Sequence, residues 1–398
     1  MIKLLKKFTK HLVIIFTIGF FVFWPILHYF HVLNPLEKEL ADFKFSDIYF
    51  GHFQDQKLDS EIYFVDLAYK DKTTSRTEIT NFLSFVNSTY TPKVIAIDAK
   101  FTYDSKISDS INKNLSVELE KENIVLSYNL VSSDNEWLKD GTELPLDYNI
   151  VHEGFSNNLV ALEEYGVERF FQPRIEVQGV TEEHFSLKIA EIYGKDNSVI
   201  DKNKLMINFA YKYPDVIDIN DKSSYHLLKD KIVIIGLFTK GKDGRPMYNE
   251  DIHYTPSNPH YFGKSPPNMY GAEINANIVS NIIHNNFISY YPRFSSFLNI
   301  FLSIVVYLLL LYFMGKSHRT FIAVSILMQF ALVSFFIIFS LFMLAKFNVY
   351  LDLTLLGVIT FFGVEFVTVI EEMIEFIESK IEDIKKERKL KKNENEKA

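Results

Sequence analysis

Four apolar stretches limit this chain more than any motif does. Residues 12–33, 294–314, 321–344 and 351–370 are each at least 20 residues long, and the first contains no Lys, Arg, Asp or Glu. About 20 helical residues rising ~1.5 Å each cover a hydrocarbon layer of ~30 Å, so all four are expected to span a membrane. The bulky run Trp24-Pro-Ile-Leu-His-Tyr-Phe-His-Val-Leu33 lacks the small residues of a cleavage site, and the first stretch reads as an uncleaved signal anchor. Lys3, Lys6, Lys7 and Lys10 lie in the segment 1–11 before it, and the positive-inside rule puts that segment in the cytoplasm.

Residues 34–291 then fall outside the membrane. The link carrying Lys316 and Arg319 and the basic tail 371–398 fall inside, and the turn Ala345–Tyr350 outside. The expected setting is a bacterial inner membrane, with the large domain in the periplasm and both termini cytoplasmic. The whole chain has no cysteine, which removes disulfides and thiolate metal sites.

Charge separates the compartments further. Residues 34–291 carry 26 Lys and Arg against 39 Asp and Glu. Such an acidic domain repels phosphate backbones, which disfavours nucleic acid, and none is expected as a partner. Apolar runs in this segment alternate with helical patterns. Ile62–Leu67, Lys93–Asp98, Ile124–Tyr128, Lys204–Phe209 and Lys231–Gly236 read as strands; Glu78–Asn87, Asp109–Glu122, Thr181–Tyr193 and Gly271–Asn286 read as helices. The fold class expected is an α/β extracytoplasmic domain plus four transmembrane α-helices.

The strand, polar loop and helix within Lys231–Asn286 are the natural place to look for chemistry. Gly236-Leu-Phe-Thr-Lys-Gly-Lys-Asp243 approaches a phosphate loop, but Asp243 stands where a hydroxyl should bind Mg²⁺, and Gly244, Arg245 and Pro246 interrupt the helix that should follow. Asp251, His253, His260 and His284 raise a metal site, against the plainer reading that Asp251 and Thr255 hydrogen-bond a turn fixed by Pro256. No metal or cofactor is expected.

Asp66 and Asp98 close β-branched runs, where open α/β sheets bind ligands; with Arg76 and Arg169 they could clamp a small polar ligand. The alternative is that Asp98 caps its loop and Arg76 pairs with it. Asp251, His253, Thr255 and Glu273 complete the candidate contact set. Glu273, Asn277, Asn281 and His284 share the helix face opposite Ile274, Ile278 and Ile282, and a solvated face is expected there. No nucleophile elbow or triad is recognisable, and no enzyme is expected.

Several pieces, taken in order, resemble one family. They are Val65-Asp66 followed by Arg76, Val94-Ile-Ala-Ile-Asp98 with Phe101, Glu153-Gly-Phe155, Gly166-Val-Glu-Arg169, Phe185-Ser-Leu187 and Ile207-Asn-Phe209. Lys231–Gly236, Asp251-Ile-His-Tyr-Thr-Pro256 and Gly271-Ala-Glu-Ile-Asn-Ala276 continue the set. Together they resemble the type-two CHASE domain, an extracytoplasmic sensory domain of bacterial receptors, and the layout of one span, a domain and three spans is similar to that family's. The chain departs from the family at Lys72-Thr-Thr-Ser75, where a Trp-rich segment is frequent, and at Asn275, where His is common. The resemblance implies a sensory role for the domain.

The tail carries the last signal. Ile370, Ile374, Ile377, Ile381 and Ile384 repeat every three or four residues, an a/d seam leaving the fourth apolar stretch. It suits a homodimer or a docking helix for a cytoplasmic partner. Glu365, inside that stretch, suits helix packing better than ion conduction. The 28 residues after Ile370 hold no output module. The expectation is a non-catalytic transmembrane sensor that binds a small ligand or an envelope protein and relays to a separate cytoplasmic signalling partner. An envelope scaffold without sensing stays open.

Overall fold

The computed structural model describes residues 9, 44–67, 72–101, 107–133, 136–141, 150–157, 166–197, 200, 204–240, 251–258, 267–314 and 318–395. The expected anchor 12–33, the near phosphate loop beyond Lys240 and His260 lie outside them. The chain divides into two compact units, one holding residues 41–290 with 345–349, the other holding 291–344 with 350–398 and the N-terminal segment.

The first unit is built on a sheet whose central strands are apolar throughout. In chain order it contains β1 (Ile62–Asp66), α1 (Lys72–Thr89), β2 (Val94–Ile97), α2 (Asp109–Leu119), β3 (Ile124–Ser133), β4 (Glu136–Asp140) and β5 (Glu153–Phe155). Next come β6 (Phe170–Phe171), β7 (Arg174–Val177), β8 (Val180–Glu183), α3 (Phe185–Ile192), β9 (Leu205–Met206), β10 (Ile217–Asp218) and β11 (Ile232–Gly236). β12 (Ile252–His253), β13 (Met269–Tyr270) and α4 (Gly271–Ile283) follow, with several shorter pieces between them. The order across the sheet is β10-β1-β11-β2-β3-β4, with β5 also paired to β3. All neighbours are parallel except β3 and β4.

Burial on both sheet faces explains why β2 and β11 read as unbroken apolar runs rather than alternating ones. On one face Ile95, Ile97, Val233 and Ile235 pack with Ile79, Leu83 and Val86 of α1 and Leu115 and Leu119 of α2. The other side of the domain carries α4, and Ala272 lies so near Gly236 that a Cβ on that glycine would sit 3.1 Å from the Ala272 Cβ. α3 packs on α4. Gly154 in β5 lets α3 close in, since a Cβ there would fall 2.7 Å from the Phe185 Cα.

Three local expectations are revised. Residues 181–183 extend as β8 and pair with β7, because Gln178 (φ 50°) and Gly179 (φ 81°) form a two-residue turn of left-handed backbone that matches strand twist. Lys204–Phe209 narrows to β9, two residues paired with β6. The polar face of α4 is solvated only at its ends: Asn277 and Asn281 are buried, whereas Glu273 is half-buried and His284 is exposed. Asn281 donates to the Asn208 carbonyl (3.1 Å), and Ser280 Oγ and His284 Nε2 both meet Asp59 Oδ2 at 2.7 and 3.0 Å. The segment 204–213 therefore covers the side of α4 that its isoleucines do not use.

The second unit contains α5 (Pro292–Met314), α6 (His318–Phe347), α7 (Thr354–Phe361) and α8 (Gly363–Asn395). Two helical windows, Pro292–Tyr312 and Leu327–Phe347, are long and apolar enough to cross a membrane among the described residues. The stretch 351–370 does not form one span-length helix, since the chain breaks between α7 and α8. Side chains meet open backbone groups at both ends of α7: Gln329 Nε2 donates to the Phe361 carbonyl at the break (3.0 Å), and at the start of the helix Asn299 bridges the Asp352 carbonyl (2.7 Å) and the Leu356 amide (3.2 Å). The isoleucine seam starts inside this unit and leaves it. Ile370 and Ile374 are buried, whereas Ile377, Ile381 and Ile384 are exposed.

Candidate ligand-binding cavity

A cavity of about 230 Å³ opens beyond the carboxyl ends of β2 and β5, where parallel α/β sheets present their binding sites. Asp98 follows β2 and Ser156 follows β5, and both line it. Asn275 and Ile278 of α4 line it as well, and so does His184 at the start of α3. Glu168, Asp251 and His253 complete its charged wall.

Asp251 is placed there by strained backbone. Its φ of 55° is left-handed, a conformation Asp tolerates better than most residues. Gly271 opens α4 beside it. A Cβ on Gly271 would lie 2.7 Å from Asp251 Oδ1, so only glycine lets that carboxylate rest against the helix N-terminus, where the partial positive charge favours an anion. The Gly271 amide also donates to the Asp251 carbonyl at 3.1 Å.

His253 sits between two carboxylates, with Nε2 3.1 Å from Asp251 Oδ1 and Nδ1 3.1 Å from Glu168 Oε1. Burial alone would lower its pKa. The hydrogen bonds and charges of Asp251 and Glu168 outweigh burial and raise it to about 10, so the ring carries a proton on each nitrogen. Asp98 accepts from Asn275 Nδ2 at 3.3 Å. Burial, then repulsion from Asp251, lifts its carboxyl to about 7, against the weaker pull of Ser127, Asn275 and His253. Carboxyls lifted this far gather at working sites.

His184 differs from His253. It is 1% exposed, and its Nδ1 accepts from the Ser186 amide at 3.2 Å, capping α3. Burial holds its pKa at about 3, so the ring is neutral and its proton resides on Nε2, which meets no hydrogen-bond partner among the described residues.

Of the residues singled out in the sequence, Asp98, Asp251 and His253 come together in this cavity. The others are placed elsewhere. Asp66 accepts from the Phe238 amide (3.1 Å) and the Thr239 hydroxyl, closing the loop after β11. Arg76 is buried in α1, bonded to Asn112 of α2 and set over the Phe101 ring at 6.0 Å. Arg169 makes a two-pronged ion pair with Asp47, at 2.9 and 2.7 Å, with both residues buried. Thr255 bonds Asn268 and Ser257, the turn role weighed for it. Glu273 accepts from the Tyr270 amide (3.0 Å) as an N-terminal cap and pairs with Lys240.

Sequence reasoning passed over Glu168 and His184. Glu168 stood inside the Gly166–Arg169 motif, and His184 immediately before the Phe185 helix. His284 lies apart on Asp59, and no group of three or more His, Asp or Glu suited to a metal occurs among the described residues.

The CHASE2 domain family profile matches residues 20–312. This chain belongs to the CHASE2 family, whose domains are extracytoplasmic and sensory. Searches among curated proteins and among solved structures find no match.

Proposed function

We propose that this protein is a non-catalytic, multi-pass inner-membrane sensor whose periplasmic domain takes a small ligand in the Asp98–Asp251–His253 cavity. The observation that carries this reading is the position of α4. Its first turn holds the charged wall through Gly271 and Asp251, and nine residues after its last, Ile283, the chain enters the apolar helix α5.

A second link supports relay. Asn348, at the end of α6, lies in the same compact unit as the sensory domain. Its side chain donates to Asn286 Oδ1 (3.2 Å), and its carbonyl accepts from the Ser289 amide (2.8 Å). A shift of α4 on ligand binding would move Asn286 and Ser289, and with them the turn between α6 and α7. The exposed isoleucines of α8 would deliver the change to a separate cytoplasmic partner, or to a second copy of the chain.

The test is a melting-shift screen of a polar metabolite collection on the full-length protein in nanodiscs, with Ser156→Trp as the variant that fills the cavity. Saturable hits that Ser156→Trp abolishes are expected. A screen in which no hit is sensitive to Ser156→Trp would leave a scaffold role in its place.

A further inference from the structure

The exposed part of α8 carries two rows of different character. Ile377, Ile381 and Ile384 form an exposed apolar seam. Glu371, Glu375, Glu378 and Glu382, spaced four, three and four apart, fall in a second row beside it. Glu371 and Glu375 have no Lys or Arg three or four residues away in their own helix, so each meets like charge along the row. The neighbour that fits such a helix has an apolar flank and a row of cations.

Residues 1–11 of the chain have that composition. Lys3, Lys6, Lys7 and Lys10 share one face at helical spacing, bordered by Ile2 and Leu5. Thr9, the described residue of this segment, is helical and exposed, and the segment belongs to the same compact unit as α8. Both stretches leave their apolar spans on the side that the positive-inside rule makes cytoplasmic. Outward from residue 12, Lys10 is second, Lys7 fifth and Lys3 ninth; outward from residue 370, Glu371 is first, Glu375 fifth and Glu378 eighth. Leu5 and Ile377 are both seventh, and Ile2 and Ile381 are tenth and eleventh. At ~1.5 Å per helical residue, each group therefore lies level with its counterpart.

A second copy of the chain fits less well. It leaves the membrane in the same direction, so the stretch 371–383, with six carboxylates against Lys380, would lie beside its own duplicate.

Resting on the multi-pass reading, we propose that residues 1–11 lie antiparallel on α8, with the lysines on the glutamate row and Ile2 and Leu5 on Ile381 and Ile377. The segment ties the first span to the last and covers the output seam, and a partner that reads the seam must displace it.

The chain has no cysteine, which makes the test direct. Full-length Leu5→Cys/Ile377→Cys is oxidised at one copy per nanodisc, with phosphatidylglycerol present to compete for the lysines, and linked peptides are read by mass spectrometry. The expected result is an intramolecular disulfide more abundant by about tenfold than in Leu5→Cys/Lys391→Cys. Adding Glu371→Lys/Glu375→Lys/Glu378→Lys should cut it several-fold with melting unchanged. Equal yields from the two cysteine pairs, or a yield indifferent to the glutamate reversal, overturn the inference and leave the lysines to the lipid surface. Disulfides between copies, formed in vesicles in preference to the intramolecular one, assign the seam to a second copy and overturn it as well. Single Leu5→Cys and Ile377→Cys variants labelled from opposite faces of sealed vesicles would sink the multi-pass reading and the inference with it. Labelling from one face keeps that reading whichever way the disulfide falls.

Discussion

Two charged clusters lie within one domain and answer burial in opposite ways. Arg169 and Asp47 face each other at two hydrogen bonds, equal in charge and both buried. Asp98, Asp251, Glu168 and His253 line a cavity, where burial and repulsion from Asp251 lift the Asp98 carboxyl to about 7. The first cluster ties the segment before β1 to the β6 region. The second surrounds open space. A charge met by its opposite at two hydrogen bonds holds the fold together, whereas a carboxyl set beside a like charge is kept ready to take up a proton.

Breaking each cluster should show this difference most sharply at the closed one. Arg169→Ala strands the Asp47 carboxylate in the interior and should cost about 3–5 kcal/mol, read as a large fall in melting temperature or failure to accumulate. Asp98→Asn should cost nothing or stabilise. Equal losses from the two would erase the distinction.

Gly271→Ala comes next. The gain in helix propensity is under about 1 kcal/mol, whereas a Cβ 2.7 Å from the Asp251 carboxylate forces movement, for a net loss of about 1–2 kcal/mol. The double variant Asp251→Gly/Gly271→Ala should recover most of it, as chemical denaturation can measure.

The pH response is smaller and has a definite sign. Asp98 holds its proton to about 7 when folded and to about 3.8 when unfolded, so the folded state binds more protons between those values and stability falls as pH rises through them. The cavity's solvent reduces the effect to about 1 kcal/mol between pH 5 and 7. His253, raised to about 10, contributes stability that is present in full below its ordinary 6.5 and lost as pH climbs through 10. Melting curves should therefore decline in two windows, and Asp98→Asn should flatten the lower one alone. Glu273→Ala removes a cap at the edge of the cavity and should cost about 1 kcal/mol or less, with ligand binding retained.

The apolar pattern made the frame of the domain legible. β11 and β2 are buried on both faces and read as unbroken runs, and α4 shows its isoleucines every four residues. Side-chain pairing was not legible, because periodicity tells which face is buried and nothing about what a polar group meets. Arg169 looked available until Asp47, 122 residues earlier, turned out to hold it. The polar face of α4 looked solvated because Asn208 and Asp59, which cover it, come from distant segments. At the cavity, Asp98, Asp251 and His253 were marked by strand ends and a motif, whereas Glu168 and His184 were not separable from ordinary charged and capping residues. The break at Phe362 was hidden for a similar reason: hydropathy does not register that Gln329 stands ready for the Phe361 carbonyl.

α8 runs unbroken for 33 residues, about 50 Å of helix. Its first seam isoleucines are gripped by packing, and its last three stand in the open. Such a rod carries torque. A turn of its packed end by a quarter of a residue step, about 25°, swings Ile377, Ile381 and Ile384 together through the same angle. A seam that had faced a neighbour would then present its flank. The helix needs no hinge, and no change of length, to carry a twist of its packed end to its exposed one.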